Sequence, residues 1–151
     1  MIGGGLDAPK LSGPVRYYST RASFAQAVTE MEDVQIRLSA LWVALMLTYL
    51  LGDVLRIFSG DFKAGEIGGM KVTQAVWLGI AFLMLTPILM VLLSLTLSHP
   101  VNRWANIVVA ILLFLFNAVG LPTYPSTYDK FLIAVGLVFN VLTVWVAWNW
   151  V

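Results

Sequence analysis

The sequence predicts an all-α integral membrane protein: an up-down-up-down bundle of four helices with an N-terminal tail or interfacial helix. Apolar residues make up 60% of the 151 residues and charged residues only 11%, whereas a soluble domain has about 25% charged residues. Four apolar stretches also approach or reach the roughly 20 residues that cross a bilayer. Because so short a chain cannot bury that much apolar surface in its own core, we expect lipid to cover it.

The N-terminal segment lacks the long apolar stretches that occur in the rest of the chain. We expect residues 1–30 to form an extension that is disordered or partly helical, and residues 31–151 to form the transmembrane domain. Phe24, Val28 and Met31 recur at helical spacing just before the first apolar stretch. Two alternatives remain open for this segment: a helix on the membrane surface that leads into the first span, or a mobile tail.

The four apolar stretches are expected to be membrane-spanning helices. Backbone polar groups cannot stay unpaired in lipid, so each stretch must be helical. The connections carry glycines, prolines and charges, and short connections favour antiparallel neighbours. The predicted spans cover residues of about 39–57, 76–97, 105–121 and 131–150.

Composition excludes several kinds of chemistry. There are no cysteines and His99 is the single histidine, so we expect no metal site and no cofactor. The net charge of +1 provides no field that would attract nucleic acid. The motifs GxSxG, HExxH and the phosphate-binding P-loop do not occur. The sequence therefore favours a protein that is not an enzyme and predicts no catalytic residue.

A candidate polar pocket lies where the first span ends. Asp53 and Arg56 are three residues apart, on one face of the predicted helix. The short side chain of Asp53 cannot reach out of the lipid, so we expect Arg56 to be its partner. Glu66 follows in a glycine-rich loop, and Gln74 begins the second span. These four residues either line a pocket at one mouth of the bundle or simply close the helix end.

Three asparagines interrupt the apolar stretches further along the chain. Asn106 and Asn117 lie in the third span, and Asn140 lies in the fourth. An amide inside lipid usually makes hydrogen bonds to a neighbouring helix. We therefore predict that all three form interhelical hydrogen bonds.

Three stretches resemble an uncharacterised family of small bacterial membrane proteins with four predicted transmembrane helices. The resemblance covers residues of about 31–150, and "GEIGG" and "NRWAN" are its most specific parts. It implies a four-helix protein of the bacterial inner membrane and no particular activity. Length and helix count are also similar to DoxX-like membrane proteins, but the absence of cysteine argues against a direct redox role. The three stretches are "VQIRLSALWVALMLTYLLGDVL" (34–55), "GEIGGMKVTQAVWLGIAFLMLTPILMVLLSLTL" (65–97) and "NRWANIVVAI" (102–111).

Three classes of function remain. The first is an accessory or scaffolding subunit that packs within a larger membrane protein complex or a homo-oligomer. The second is a carrier or binder of a small molecule or lipid, with its pocket at the end that carries Asp53, Arg56 and Glu66. The third is a membrane-embedded enzyme acting there on a lipid-soluble substrate. The sequence favours the first class because it offers apolar helices and little reactive chemistry.

Overall fold

Four long helices dominate the structure, a computed structural model that describes residues 14–63, 65–67 and 70–150. Within these ranges the side chains of residues 14–22, 24, 25, 67 and 70 are not described. All four helices are long and apolar enough to cross a membrane, which confirms the predicted all-α, four-helix architecture. The helices are α1 (Pro14–Ser59), α2 (Gln74–Thr96), α3 (His99–Gly120) and α4 (Thr127–Trp148).

Two short elements complete the described chain. A two-residue antiparallel ladder, β1 (Glu66–Ile67) with β2 (Met70–Lys71), lies in the connection between α1 and α2. A single 3-10 turn over Leu121–Thr123 lies between α3 and α4. The start of the first connection, residues 60–63, and the second connection, residues 121–126, lie together at what we name the loop end of the bundle. The opposite end, with the α2–α3 turn at Leu97 and Ser98, is named the turn end.

The first helix is much longer than the span predicted for it. It has 46 residues, or about 69 Å at ~1.5 Å per residue, roughly twice the ~30 Å hydrocarbon layer. No glycine or proline occurs between Val15 and Leu51, so nothing in the sequence breaks the helix. Residues 14–30 of the expected extension are therefore continuous with the first span. Residues 1–13 lie outside the described part of the chain.

The bundle core forms where α1 packs against both α2 and α4, and where α3 packs against α4. The α2 and α3 helices pack against each other much less than these three pairs do, although the short turn joins them. Gly136 permits a close contact of α1 with α4, since a Cβ there would lie 3.3 Å from the ring of Tyr49. Large apolar side chains on the outer faces stay exposed, as lipid-facing helices require. The buried apolar side chains are Leu38, Trp42, Leu45, Met90, Ile107, Ala110, Leu113, Ala147 and Trp150.

Candidate functional site

The strongest electrostatic contact at the loop end joins Arg56 to Asp129. The Arg56 Nη2 atom lies 3.0 Å from Asp129 Oδ1. Asp129 is buried in the first turn of α4, and Arg56 is in the last turn of α1. These positions suit the helix dipoles, which favour an acid at the N-terminus and a base at the C-terminus. The guanidinium also lies over the Tyr124 ring, 4.9 Å from its centre.

This pairing differs from the one expected from sequence. Arg56 pairs with Asp129 of α4, and not with Asp53. Asp53 is exposed and forms no hydrogen bond or ion pair with the described residues. The reason lies in the packing of the helices. The start of α4 brings the buried Asp129 carboxylate directly to the Arg56 guanidinium, whereas helical spacing only places Asp53 near Arg56 on the same helix.

A second polar contact between α1 and α4 centres on Asp61, just after α1. Its carboxylate accepts hydrogen bonds from Tyr128 Oη at 2.6 Å, Ser126 Oγ at 2.7 Å and Ser59 Oγ at 3.1 Å. These bonds hold the pKa of the exposed Asp61 carboxyl below its ordinary value of 3.8. Sequence analysis missed both Asp61 and Asp129. The first-turn position of Asp129 in the fourth helix was the available signal, since acids are favoured there.

The structure does not bring Glu66 or Gln74 into contact with Arg56. Glu66 is paired with Lys71 in the register of the small ladder. Gln74 is the exposed first residue of α2. No contact among the described residues joins either side chain to Asp53 or Arg56, so the four-residue pocket stays a prediction.

The turn end contains a buried network of neutral polar side chains around Asn106. Asn106 Oδ1 accepts hydrogen bonds from Trp42 Nε1 at 2.6 Å and from Ser94 Oγ at 3.0 Å. Asn106 Nδ2 donates to the backbone and side-chain oxygens of Asn102, at 2.9 and 2.7 Å. Asn102 Nδ2 in turn donates to Ser94 O at 2.7 Å. All four side chains are buried, and the network links α1, α2 and α3.

The other two asparagines have different surroundings. Asn117 Nδ2 donates to Tyr49 Oη on α1 and to Leu113 O on its own helix, both at 2.8 Å. Asn140 is buried, but neither atom of its amide has a hydrogen-bond partner among the described residues. Its side chain faces apolar residues of the α3–α4 interface such as Phe114 and also lies near Tyr49 of α1, so the interhelical bond expected for Asn140 stays a prediction.

Asn140 lines a groove between α3 and α4 with a volume of about 330 Å³. The groove lies away from the polar residues of the loop end. Its other lining residues are aliphatic or aromatic: Ile111, Phe114, Val141, Val144, Trp145 and Trp148. Across the described chain, no three His, Asp or Glu side chains are grouped so as to hold a metal ion.

Comparison with known proteins identifies a family for almost the whole described chain. A family model described as a family of unknown function, DUF6326, matches residues 27–151. Neither the curated proteins nor the solved structures include a significant match. The resemblance to an uncharacterised family is thereby confirmed, and the match begins within the exposed part of α1. The chain belongs to the family of unknown function DUF6326.

Proposed function

We propose that the protein is an accessory subunit that packs with a partner membrane protein. The observation that carries this proposal is the N-terminal part of α1, which continues beyond the bundle. Contacts of α1 with the core begin at Val34 and Leu38. Every described side chain from Gln26 to Asp33 is exposed. A helix of this length is marginal in water without tertiary contacts, so a partner would stabilise it.

The composition of this exposed helix supports a particular kind of partner. Val28 and Met31 are 37% and 42% exposed and lie on one face at a spacing of three residues. Glu30, Glu32 and Asp33 add negative charge beside this face. The complementary surface is an apolar strip flanked by basic residues, on a part of the partner that lies next to the membrane.

The loop end supports the same proposal from the opposite side. The charge of Arg56 is already neutralised by its ion pair with Asp129. Asp61 is already bonded to Ser126 and Tyr128. Polar groups that bind one another within the chain hold α1 and α4 together and leave fewer groups to act on a substrate.

Purification of the tagged full-length chain in a mild detergent tests the proposal. We expect one protein to copurify in fixed stoichiometry, and Met31→Asp to reduce its amount at least tenfold. Gln26→Asp is the matched control, because it adds the same charge on the opposite face of the exposed helix. Equal recovery with both variants, or a chain that elutes alone after crosslinking in cells, would contradict the proposal.

A second candidate function is suggested by Asp53. Its carboxylate is exposed near the end of a membrane-spanning helix and is attracted by the charge of Arg56 without forming an ion pair with it, an arrangement that is costly in lipid. A small molecule bound at this carboxylate would relieve that cost. A small molecule that copurifies with the wild-type chain, and is lost in Asp53→Asn, would favour the binder over the subunit.

A further inference from the structure

The apolar groove between α3 and α4 extends toward the turn end of the bundle. Trp148 lines the groove at that end, and Asn140 lines it near the middle of α4. Eight residues separate the two, or about 12 Å at ~1.5 Å per residue. A second, neighbouring groove of about 260 Å³ shares Phe114 and Val141 with the first. The two grooves therefore lie side by side on the apolar surface between α3 and α4.

Arg103 contacts Trp148, the residue that lines the turn end of this groove. Its guanidinium carbon is 5.8 Å from the centre of the Trp148 ring, and its Nη2 atom donates to Trp148 O at 3.0 Å. The Nε atom is buried and has no hydrogen-bond partner among the described residues. No described carboxylate forms an ion pair with Arg103, in contrast to Arg56. Arg103 therefore has a positive charge that no carboxylate in the described part of the chain balances.

The depth of Arg103 in the bilayer points to the source of its counter-ion. Trp104 and Trp148 are 57% and 58% exposed, beside it in sequence and in space, and exposed tryptophans at helix ends mark the lipid headgroup level. Phosphate groups of the lipids lie at this level. A guanidinium binds phosphate through paired, charge-assisted hydrogen bonds.

We propose that the α3–α4 groove binds an anionic phospholipid, with its phosphate on Arg103 and an acyl chain along the groove. The apolar lining from Phe114 to Trp145 suits a hydrocarbon chain and offers no exposed polar atom to it. Arg103 supplies the preference for negative charge. A soluble phosphate would gain the contact with Arg103 only, whereas a phospholipid also gains the contact with the groove.

Native mass spectrometry of the purified full-length chain tests this site. The probes are dioleoyl phosphatidylglycerol and dioleoyl phosphatidylcholine, which differ in headgroup charge and not in acyl chain. We expect the wild-type chain to retain phosphatidylglycerol about tenfold better, as one charge-assisted contact would provide. Arg103→Gln should abolish the difference, whereas Arg103→Lys should keep part of it. Lys130→Gln is the matched control, since it removes an exposed cation at the loop end and should leave the preference unchanged.

Two further measurements separate the groove from the headgroup contact. Val144→Trp fills the groove and should reduce retention of both lipids to a similar extent. Inorganic phosphate at millimolar concentration should not displace bound phosphatidylglycerol. Equal retention of the two lipids by the wild-type chain, an unchanged preference in Arg103→Gln, or displacement by inorganic phosphate would each overturn the proposal.

Discussion

The two ends of the bundle are held together by different chemistry. At the turn end, Trp42, Ser94, Asn102 and Asn106 form a buried network of uncharged groups. At the loop end, charged Arg56 and Asp129 form an ion pair whose arginine side chain is 30% exposed. Asn106 lies two turns inside α3, whereas Arg56 is in the last turn of α1. The difference follows the cost of charge in lipid, which rises with depth.

This contrast indicates how each end responds to substitution. A buried neutral network fails as a unit, because removing one member leaves several donors and acceptors unpaired in a medium without water. When one member of an ion pair at the edge of the membrane is removed, part of the lost stability is recovered, because the exposed partner can turn toward water. We therefore expect substitutions at the turn end to destabilise the protein more than substitutions at the loop end.

The largest effect is expected for Asn106→Leu. This change leaves Trp42 Nε1, Ser94 Oγ and Asn102 without their partner, and should lower the free energy of unfolding by about 2–3 kcal/mol. Unfolding in mixed micelles with increasing amounts of SDS measures this change in the free energy of unfolding.

Asn149→Leu is the matched control for Asn106→Leu. Asn149 is exposed and its amide donates only to Trp145 O, one turn earlier on the same helix. We expect a change below about 0.5 kcal/mol. Similar losses for both substitutions would show that the turn-end network contributes little to stability.

The next effect is expected for Asp129→Asn. It removes the charge that neutralises Arg56 and should cost about 1–2 kcal/mol, less than for a fully buried pair because Arg56 is partly exposed. The same SDS titration compares it with Asp53→Asn, for which we expect less than about 0.5 kcal/mol. A larger loss for Asp53→Asn than for Asp129→Asn would restore the pair that the sequence suggested.

A smaller effect is expected where α1 and α4 meet midway between the two ends. Gly136→Ala places a methyl group 3.3 Å from the Tyr49 ring, which Asn117 holds in position. We expect a loss of about 1 kcal/mol from overpacking. Gly79→Ala is the control, because a Cβ there meets nothing within 4 Å, and it should be neutral or slightly stabilising. A stabilised Gly136→Ala variant would show that Tyr49 can move aside.

The smallest effect is expected from protonation of Asp61. Hydrogen bonds from Tyr128, Ser126 and Ser59 lower the pKa of Asp61 in the folded state. The stability that these bonds add to the folded state is therefore present above the ordinary pKa of 3.8, and it is lost as the pH falls through the lower, folded pKa. The difference in stability between wild type and Asp61→Asn should therefore shrink as the pH falls below about 4. A difference that stays constant over this acid range would argue against the bonded carboxylate.

Some features of this protein follow from local sequence. The four long apolar helices and the polar connections between them could be predicted, because the bilayer demands about 20 consecutive apolar residues and helical hydrogen bonding from each span. The polar character of Asn106 and Asn117 within apolar surroundings also predicted partners on other helices. In each case the signal lies within one segment of chain.

Other features depend on which helices become neighbours. Sequence spacing suggested Asp53 for Arg56, but the packing of α4 against α1 presents Asp129 instead. Trp42 and Ser94 meet Asn106 for the same reason, and no local pattern marks them as its partners. The helix α1 begins well before the apolar run that predicted the first span, and an apolar run marks where a helix crosses lipid, not where the helix begins.

The sequence by itself determined the solvent and the secondary structure: lipid around four helices, with charges kept near the ends. Only the tertiary structure decided which polar groups pair, and that Arg103 contacts Trp148 at the end of an apolar groove. The physical reason is range. Hydrophobicity and helix formation act along a few turns of chain, whereas a hydrogen bond or ion pair between helices needs two distant residues within about 3 Å.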